Sequence, residues 1–290
     1  MKTFAVFGDV HGRISLMLIL ARRWEEDTGR SLDAVLQVGD MGAFPDINRL
    51  DRATVRHAAK DTDELGFSEY VRGCAEGAAL LANDGWPVVW MRGNHEDFEY
   101  LDQFRSPTAV DPWGRLIYVP DGTETTVAGL RIGAIGGKGR PSVDRGRGKS
   151  ARKAYRKSQH RDDPSWLSER IAGNAYSDGL DILLTHAGPA EVLRFGSPHL
   201  AAAARRIRPR IHLFGHHHIQ HGPASGPGGA TVIGLDHLEF IGHRIQNGCW
   251  GILEVDGEDV RWTWGDTFRW ASQLSPNGYR SWIPSLSIAS

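Results

Sequence analysis

The chain alternates short apolar runs with polar, helix-spaced segments, and the runs share a kind of ending. Lys2–Phe7 is an apolar run of strand length that stops at Gly8-Asp9. Leu32–Val38 stops at Gly39-Asp40, and Pro87–Met91 leads through Arg92 to Gly93-Asn94. Leu130–Ile135, Ile182–Thr185 and Ile211–Phe214 repeat the theme, the last two ending at His186 and at Gly215-His216. Short apolar runs bounded by Gly and polar residues read as buried strands. Between them, Ile14–Trp24 places Leu16, Leu18, Ile19 and Leu20 at helical spacing. Asp51–Lys60 and Glu69–Ala82 read as further helices, and Trp250–Val255 with Val260–Trp264 predicts a hairpin around Asp256-Gly257. Repeated strand and helix predicts an α/β fold. Open sheets of that class gather ligands at the carboxyl ends of their strands. Strand ends that carry Asp, Asn or His therefore predict one site at one sheet edge. No internal repeat is present, and Gln273–Ser290 has no clear period.

Composition narrows the picture. The 290 residues are 40% hydrophobic and 24% charged, ordinary globular usage that allows one large domain or two small ones. Only two cysteines occur, Cys74 and Cys249, which excludes a disulfide framework and a cysteine zinc ribbon. No apolar run reaches the ~18 residues of a membrane span, and Met1–Phe7 is too short for a signal-peptide core. A soluble, cytoplasmic protein without a membrane partner is expected. Its oligomeric state is left open. The net charge of −1 gives no global field, but Lys138–Arg161 holds ten Lys and Arg against Asp144 alone, a local +9 that leaves −10 on the rest. That stretch lacks hydrophobic periodicity and reads as a loop. It is either a solvated insertion or an electrostatic arm for a polyanion such as nucleic acid, with Tyr155 available to stack on a base.

Five motifs carry chemistry: Gly8-Asp9-Val10-His11-Gly12, Gly39-Asp40, Gly93-Asn94-His95-Glu96, Thr185-His186 and Gly215-His216-His217-His218. Each alone is weak; together, in this order, they form a set that chance does not readily supply. Carboxylates, imidazoles and one amide oxygen suit Mn, Fe, Zn or Ni, singly or paired. Two cations ~3.5–4 Å apart need a bridging carboxylate and can hold a hydroxide for attack on phosphorus. Strand alternation would aim Asp9 and His11 the same way, and likewise His216 and His218. His95 would then face the substrate and either protonate a leaving oxygen or stabilise its charge. His217 is expected to face outward and His57 to lie on the surface. His160, His199, His212, His221, His237 and His243 default to structural or exposed roles, with His221 and His237 close enough in sequence to merit mutation. Arg13 and Arg92 flank the motifs, either as clamps on a substrate phosphate or as ion-pair residues.

These motifs resemble those of the calcineurin-like metallophosphoesterases, in order and over most of the chain. The resemblance implies a two-sheet β-sandwich flanked by helices, a four-layer α/β/β/α fold with a dinuclear centre. Carried over residue by residue, Asp9, His11 and His218 would hold the first metal, Asn94, His186 and His216 the second, and Asp40 would bridge. His95 would be catalytic. Arg92–Glu96 also resembles the protein-phosphatase branch, whose longer second motif contains Asp-Arg-Gly. Residues 39–46 lack it, which leaves Asp46, by proximity, as the candidate carboxylate for His95. A further resemblance is to the RNA lariat debranching enzymes, through Val38–Met41, Phe67–Tyr70 and Gly129–Gly137. In those enzymes the loop after the last segment recognises branched RNA, and here that place holds the basic stretch. The eukaryotic members usually carry Cys where this chain has Asp9.

The expectation is therefore a single domain over 1–265, with a basic loop at 138–161 and a C-terminal extension at 266–290. Its activity would be that of a metal-dependent phosphodiesterase acting on a nucleic acid or nucleotide through a hydroxide held by two divalent metals. The alternatives are a phosphomonoesterase, a dinucleoside polyphosphate hydrolase and, from another class, a binding module on an inactive fold; no ligand is missing, which counts against the last.

Overall fold

The computed structural model describes residues 1–82, 85–139, 163–176 and 179–283. The strands are β1 (Lys2–Phe7), β2 (Ala34–Gln37), β3 (Val88–Trp90), β4 (Thr108–Ala109), β5 (Leu116–Tyr118), β6 (Glu124–Val127), β7 (Leu130–Ile135), β8 (Ile182–Thr185), β9 (Ile211–Phe214), β10 (His221–Ser225), β11 (Thr231–Gly234), β12 (Phe240–Ile241), β13 (Arg244–Ile245), β14 (Trp250–Asp256) and β15 (Asp259–Trp264). One seven-stranded sheet has the order β15-β14-β1-β2-β3-β5-β4, and a six-stranded sheet has the order β10-β11-β9-β8-β7-β6. Both are parallel at the centre, β1-β2-β3-β5 and β7-β8-β9-β11, with antiparallel strands at the margins.

Strand periodicity explains how the sheets stack, because successive side chains take opposite faces. Phe4 and Val6 of β1 join Leu36, Val89, Ile132, Leu184, Leu213 and Ile233 in a core between the sheets. Ala5 and Phe7, one position out of phase, face a second core with α1 (Ile14–Thr28), α3 (Gly66–Arg72) and α4 (Ala75–Leu81). Behind the other sheet, Leu183 packs with α6 (Glu169–Asn174) and α7 (Pro198–Ile207). The result is the expected four-layer α/β/β/α sandwich. α2 (Arg52–Ala58) and the four-residue α5 (Phe98–Leu101) lie in connections at the site edge.

Differences from the expected elements have local causes. The helix expected over Glu69–Ala82 is two, because Gly73 at φ 88° ends α3 and Cys74 caps α4. Residues without a clear period also pack: Trp270, Leu274 and Tyr279 are buried in the core around α1. Arg280 adds ion pairs to Asp63 and Glu76. Among the described residues no helix is long and apolar enough to cross a membrane. The basic stretch from Arg140, with Tyr155 and His160, lies outside the described residues.

Candidate active site

The seven expected ligands meet beyond the carboxyl ends of β1, β2, β3, β8 and β9. Each approach needs a residue without a side chain beside it. A Cβ on Gly93 would stand 2.0 Å from Asp40 Oδ1, one on Gly215 2.2 Å from Asp9 Oδ1, and one on Gly39 2.6 Å from His186 Nδ1. The motif glycines are thus clearance for the ligands.

Strand alternation is not what aims the ligands. His11, Asp40, His216 and His218 lie past the strand ends with φ of 46°, 54°, 64° and 48°, left-handed turns that turn the side chains inward. Asp and His tolerate this region better than bulky residues do. Backbone bonds hold the turns: Val10 and His11 N–H donate to the Asp40 carbonyl at 3.0 and 2.8 Å, and His216 N–H donates to Asp9 Oδ1 at 3.0 Å.

Asp40 occupies the centre. Its Oδ1 accepts the N–H groups of Asn94 and His95 at 2.6 and 2.7 Å. Its Oδ2 lies 3.8 Å from His11 Nε2 and 3.4 Å from His186 Nε2, between the two expected ligand sets. On one side, Asp9 Oδ2 is 3.3 Å from His218 Nε2. On the other, His186 Nε2 is 3.1 Å from Asn94 Oδ1, and the His186 and His216 rings are 4.9 Å apart. His186 Nδ1 bonds the Val38 carbonyl at 3.1 Å, which puts the proton there and leaves Nε2 as the inward ligand atom.

These residues fit a pair of cations. Asp9 and Asp40 are almost wholly buried beside one another, and Asp9 Oδ2 meets only the His218 imidazole, at ion-pair distance and without hydrogen-bond geometry. Burial alone would raise both carboxyls, but His186 and the other imidazoles hold Asp9 below, and Asp40 well below, the usual range. Against its own burial, His186 is pushed up to about 9 by Asp40 and Asp9. Ligand atoms of Asp9, His11 and His218 lie within 4.8 Å of one another, as do those of Asp9, Asp40 and His186.

His95 faces the same cavity of 260 Å3 as His11, Asp40, Asn94, His216 and His218. Its Nδ1 lies 2.5 Å from Asp51 Oδ2. Asp46, the carboxylate suggested by proximity, instead accepts Asn48 N–H and Nδ2 at 2.9 Å. Asp51 caps α2 by accepting Thr54 N–H at 2.7 Å, and the expected helix start at Asp51 was the signal that could have found it. Burial works against charge on His95, but the Asp51 bond and Asp40 hold its pKa above the ordinary value. Asp51 is lowered to about 2, its burial outweighed by His95 and Thr54.

Glu96 supports the centre without lining the cavity. Its buried carboxylate accepts N–H groups of Met41, Ala43 and Gly93 at 3.0, 2.5 and 3.1 Å, tying the second motif to the third. Arg13 and Arg92 both form ion pairs. Arg13 bonds Asp61 and Glu64. Arg92 bonds Asp121 and the Pro164 carbonyl. Neither lines the cavity. His217 does not face outward: its Nε2 accepts Gly188 N–H at 3.0 Å. His212 is structural, buried against Thr185 Oγ1 at 2.8 Å. Exposed His57, buried Glu64 and half-buried His237 line the cavity as well; of these, the sequence had marked only His237, for its closeness to the fifth motif.

The chain was compared with known proteins. No match is found among curated proteins. Solved structures similar to the chain include the Thermus thermophilus protein TT1561, at 16% identity and a TM-score of 0.46, covering 91% of this chain and 99% of that one. A conserved uncharacterized protein of Streptococcus pneumoniae TIGR4, described as a predicted phosphoesterase, has 15% identity and a TM-score of 0.35 over 91% and 90% of the two chains. The Thermus thermophilus sulfate thiohydrolase SoxB has 16% identity and a TM-score of 0.43, covering 95% of this chain but 46% of its own. The calcineurin-like phosphoesterase family matches residues 2–220, a span that contains all five motifs. The chain belongs to that family, whose members are hydrolases of phosphoric esters that use divalent metals.

Proposed function

We propose that the protein is a metal-dependent phosphodiesterase whose substrate is a nucleotide or nucleic acid. The observation that carries the reading is the convergence of two ligand sets on Asp40 Oδ2, beside a His95–Asp51 pair in one cavity. Asp9, His11 and His218 would hold one cation and Asn94, His186 and His216 the other, with Asp40 shared. When bound, divalent cations supply Lewis acidity at the phosphoryl oxygens and at water. The chain's own part is orientation and proton transfer. His95, held by Asp51 through Nδ1, offers its Nε2 proton to the leaving oxygen, so that an alkoxide need not depart unprotonated.

The charge of the cavity favours a diester. Among the described residues its wall contains no Lys or Arg, while Glu64 adds a carboxyl. A monoester dianion would gain from a further cation at its extra oxygen; the singly charged diester has less need of one. The charge of the basic stretch, ten Lys and Arg against one Asp, favours a polyanion. It leaves the described chain just after β7, where a Cβ on Gly136 would stand 2.5 Å from Arg92 Cγ. It returns near Pro164, whose carbonyl accepts from Arg92 Nη1 at 2.5 Å. The described residues at both ends thus adjoin Arg92, next to the third motif, and the charge of the stretch between them would neutralise phosphates of such a substrate. Branched RNA, suggested by the debranching-enzyme resemblance, is one such substrate.

The test is Mn2+-stimulated hydrolysis of bis-p-nitrophenyl phosphate against p-nitrophenyl phosphate. A kcat/KM at least about tenfold higher for the diester is expected. A monoester preference would replace the reading by a phosphomonoesterase, and linear against 2′,5′-branched RNA follows if the diester wins.

A further inference from the structure

The cavity holds a histidine outside the expected ligand set and outside the 2–220 span that matches the family: His237. Its ring lies 5.5 Å from that of His11, edge-on, and 4.8 Å from that of His218. His11 is also 5.8 Å from the His95 ring, so His95 and His237 both neighbour the same ligand.

The segment that carries His237 is built into the first motif. Leu238 N–H donates to the Asp9 carbonyl at 2.7 Å, and Asp236 N–H to the Gly248 carbonyl at 2.9 Å. A Cβ on Gly8 would stand 1.9 Å from the Asp236 carbonyl oxygen. Such anchoring fixes the ring relative to the ligands. Yet neither ring nitrogen makes a hydrogen bond among the described residues; Glu239 Oε2 is 3.5 Å from Nε2, a weak ion-pair distance.

One alternative is a third cation among His218, Asp236 and His237, whose ligand atoms cluster within 4.8 Å. The chemistry of Asp236 argues against it. Its Oδ1 already accepts His237 N–H at 2.7 Å and its Oδ2 accepts Gln246 Nε2 at 3.0 Å. A carboxylate spent on two donors within its own segment is a brace, not a ligand in waiting.

We infer that His237 is a substrate-binding residue that donates a ring N–H to a non-bridging oxygen of the phosphoryl group. The inference deepens the phosphoesterase reading and rests on it for the identity of the ligand, a phosphate oxyanion. Its logic is complementarity. The two arginines nearest the motifs are committed to carboxylates, and an uncharged donor suits a singly charged diester. A hydrogen bond to a charged oxygen is worth about 10–100-fold in affinity.

The experiment titrates inorganic phosphate into Zn2+-loaded wild-type protein and the H237A and H237Q variants by calorimetry, with metal content measured on the same samples. H237A should weaken phosphate binding about tenfold or more while keeping two metals per chain. H237Q, which restores an N–H donor, should recover most of the loss. Unchanged phosphate affinity in H237A overturns the inference, and so does loss of metal in step with loss of phosphate, which would make His237 a ligand organiser. A measurement on the wild type guards against variants that fail to fold: phosphate should shift the ring 15N resonance of His237, and an unmoved resonance refutes the contact. Phosphate binding without any phosphoester hydrolysis would sink the proposed function while leaving the role of His237 decided by the same titration.

Discussion

Replacing Asp51 by Asn separates a catalytic contribution from a structural one at a single residue. Asp51 does two things: its Oδ1 caps α2 through Thr54 N–H, and its Oδ2 pairs with His95 Nδ1 at 2.5 Å. Asn is as good a helix cap as Asp, so D51N keeps the first role and removes the charge from the second. D51A removes both and should cost about 1 kcal/mol of stability for the cap. A hydrogen bond to a charged group contributes about 1.5–3 kcal/mol. The side chains of His95 and Asp51 are 33% and 34% exposed, so the lower end applies. About 1.5 kcal/mol is about one pKa unit. Asp51 raises the His95 pKa. A general acid must be protonated, so losing Asp51 moves the alkaline limb of kcat to lower pH, by about one unit. Above that limb, kcat for a dinucleoside monophosphate should fall about tenfold. Nitrophenolate leaves without needing the proton, so bis-p-nitrophenyl phosphate should lose far less. The assay is a pair of pH–kcat profiles, one for each leaving group, on wild type and D51N at saturating Mn2+. Equal losses on both substrates would refute the reasoning, as would an alkaline limb that stays in place or moves up.

Other perturbations test the support of the site. E96A strips the acceptor from three buried N–H groups, of Met41, Ala43 and Gly93, and should cost at least about 3 kcal/mol, read as a lower urea midpoint at constant m; a midpoint within error of wild type would show that these loops need no tie. G93A places a methyl 2.0 Å from Asp40 Oδ1 and should abolish the two-metal stoichiometry measured by atomic emission, an outcome a fully loaded variant would contradict. Chelation should lower Tm, because cations relieve the buried Asp9–Asp40 repulsion; Mn2+ at 100 times its Kd should return about 2.7 kcal/mol, about 5 °C in a melting curve. Ending the chain after residue 265 removes Trp270, Leu274 and Tyr279 from the core around α1, a loss of about 5 kcal/mol at ~1.5–3 per side chain, and a truncated protein melting within a few degrees of the full chain would disprove that packing role.

The elements legible in the sequence are those fixed by local pattern. β1, β7, β8 and β9 fall on their apolar runs, because a buried parallel strand needs little besides apolar side chains and a stop. β4, β12 and β13 have two residues each, too few for any period to register. α7 was missed although Ser197 caps it and Pro198 opens it, for its alanines carry a weaker apolar signal than the leucines of α1. At the site, order and residue type pointed to the residues that the structure brings together around Asp40. The only sequence signal for the partner of His95 was the helix start expected at Asp51, while proximity to the second motif pointed to Asp46 instead. The ion pairs of Arg13 and Arg92 were equally hidden, for they depend on Asp61, Glu64 and Asp121, none of which a motif marks.

The left-handed residues connect these observations. Of the seven non-glycine residues with positive φ among the described residues, four are His11, Asp40, His216 and His218. Such backbone costs about 1–2 kcal/mol per residue outside glycine, and strain of this kind persists only where the surroundings over-determine it. Here the surroundings are protein groups. The Asp40 carbonyl takes two N–H donors from the first motif, Asp40 Oδ1 takes two from the third, Asp9 Oδ1 takes one from the fifth, and Glu96 closes the ring between second and third. The same carboxylates that face the centre with one oxygen fasten neighbouring loops with the other. Exchanging Asp9 or Asp40 for Asn would therefore do more than remove a charge: in one of its two amide orientations it sets an N–H against a backbone N–H that needs an acceptor. That double duty gives a physical reason for Gly-Asp at two strand ends, where the glycine clears space and the carboxylate both holds the turn and faces the ligands.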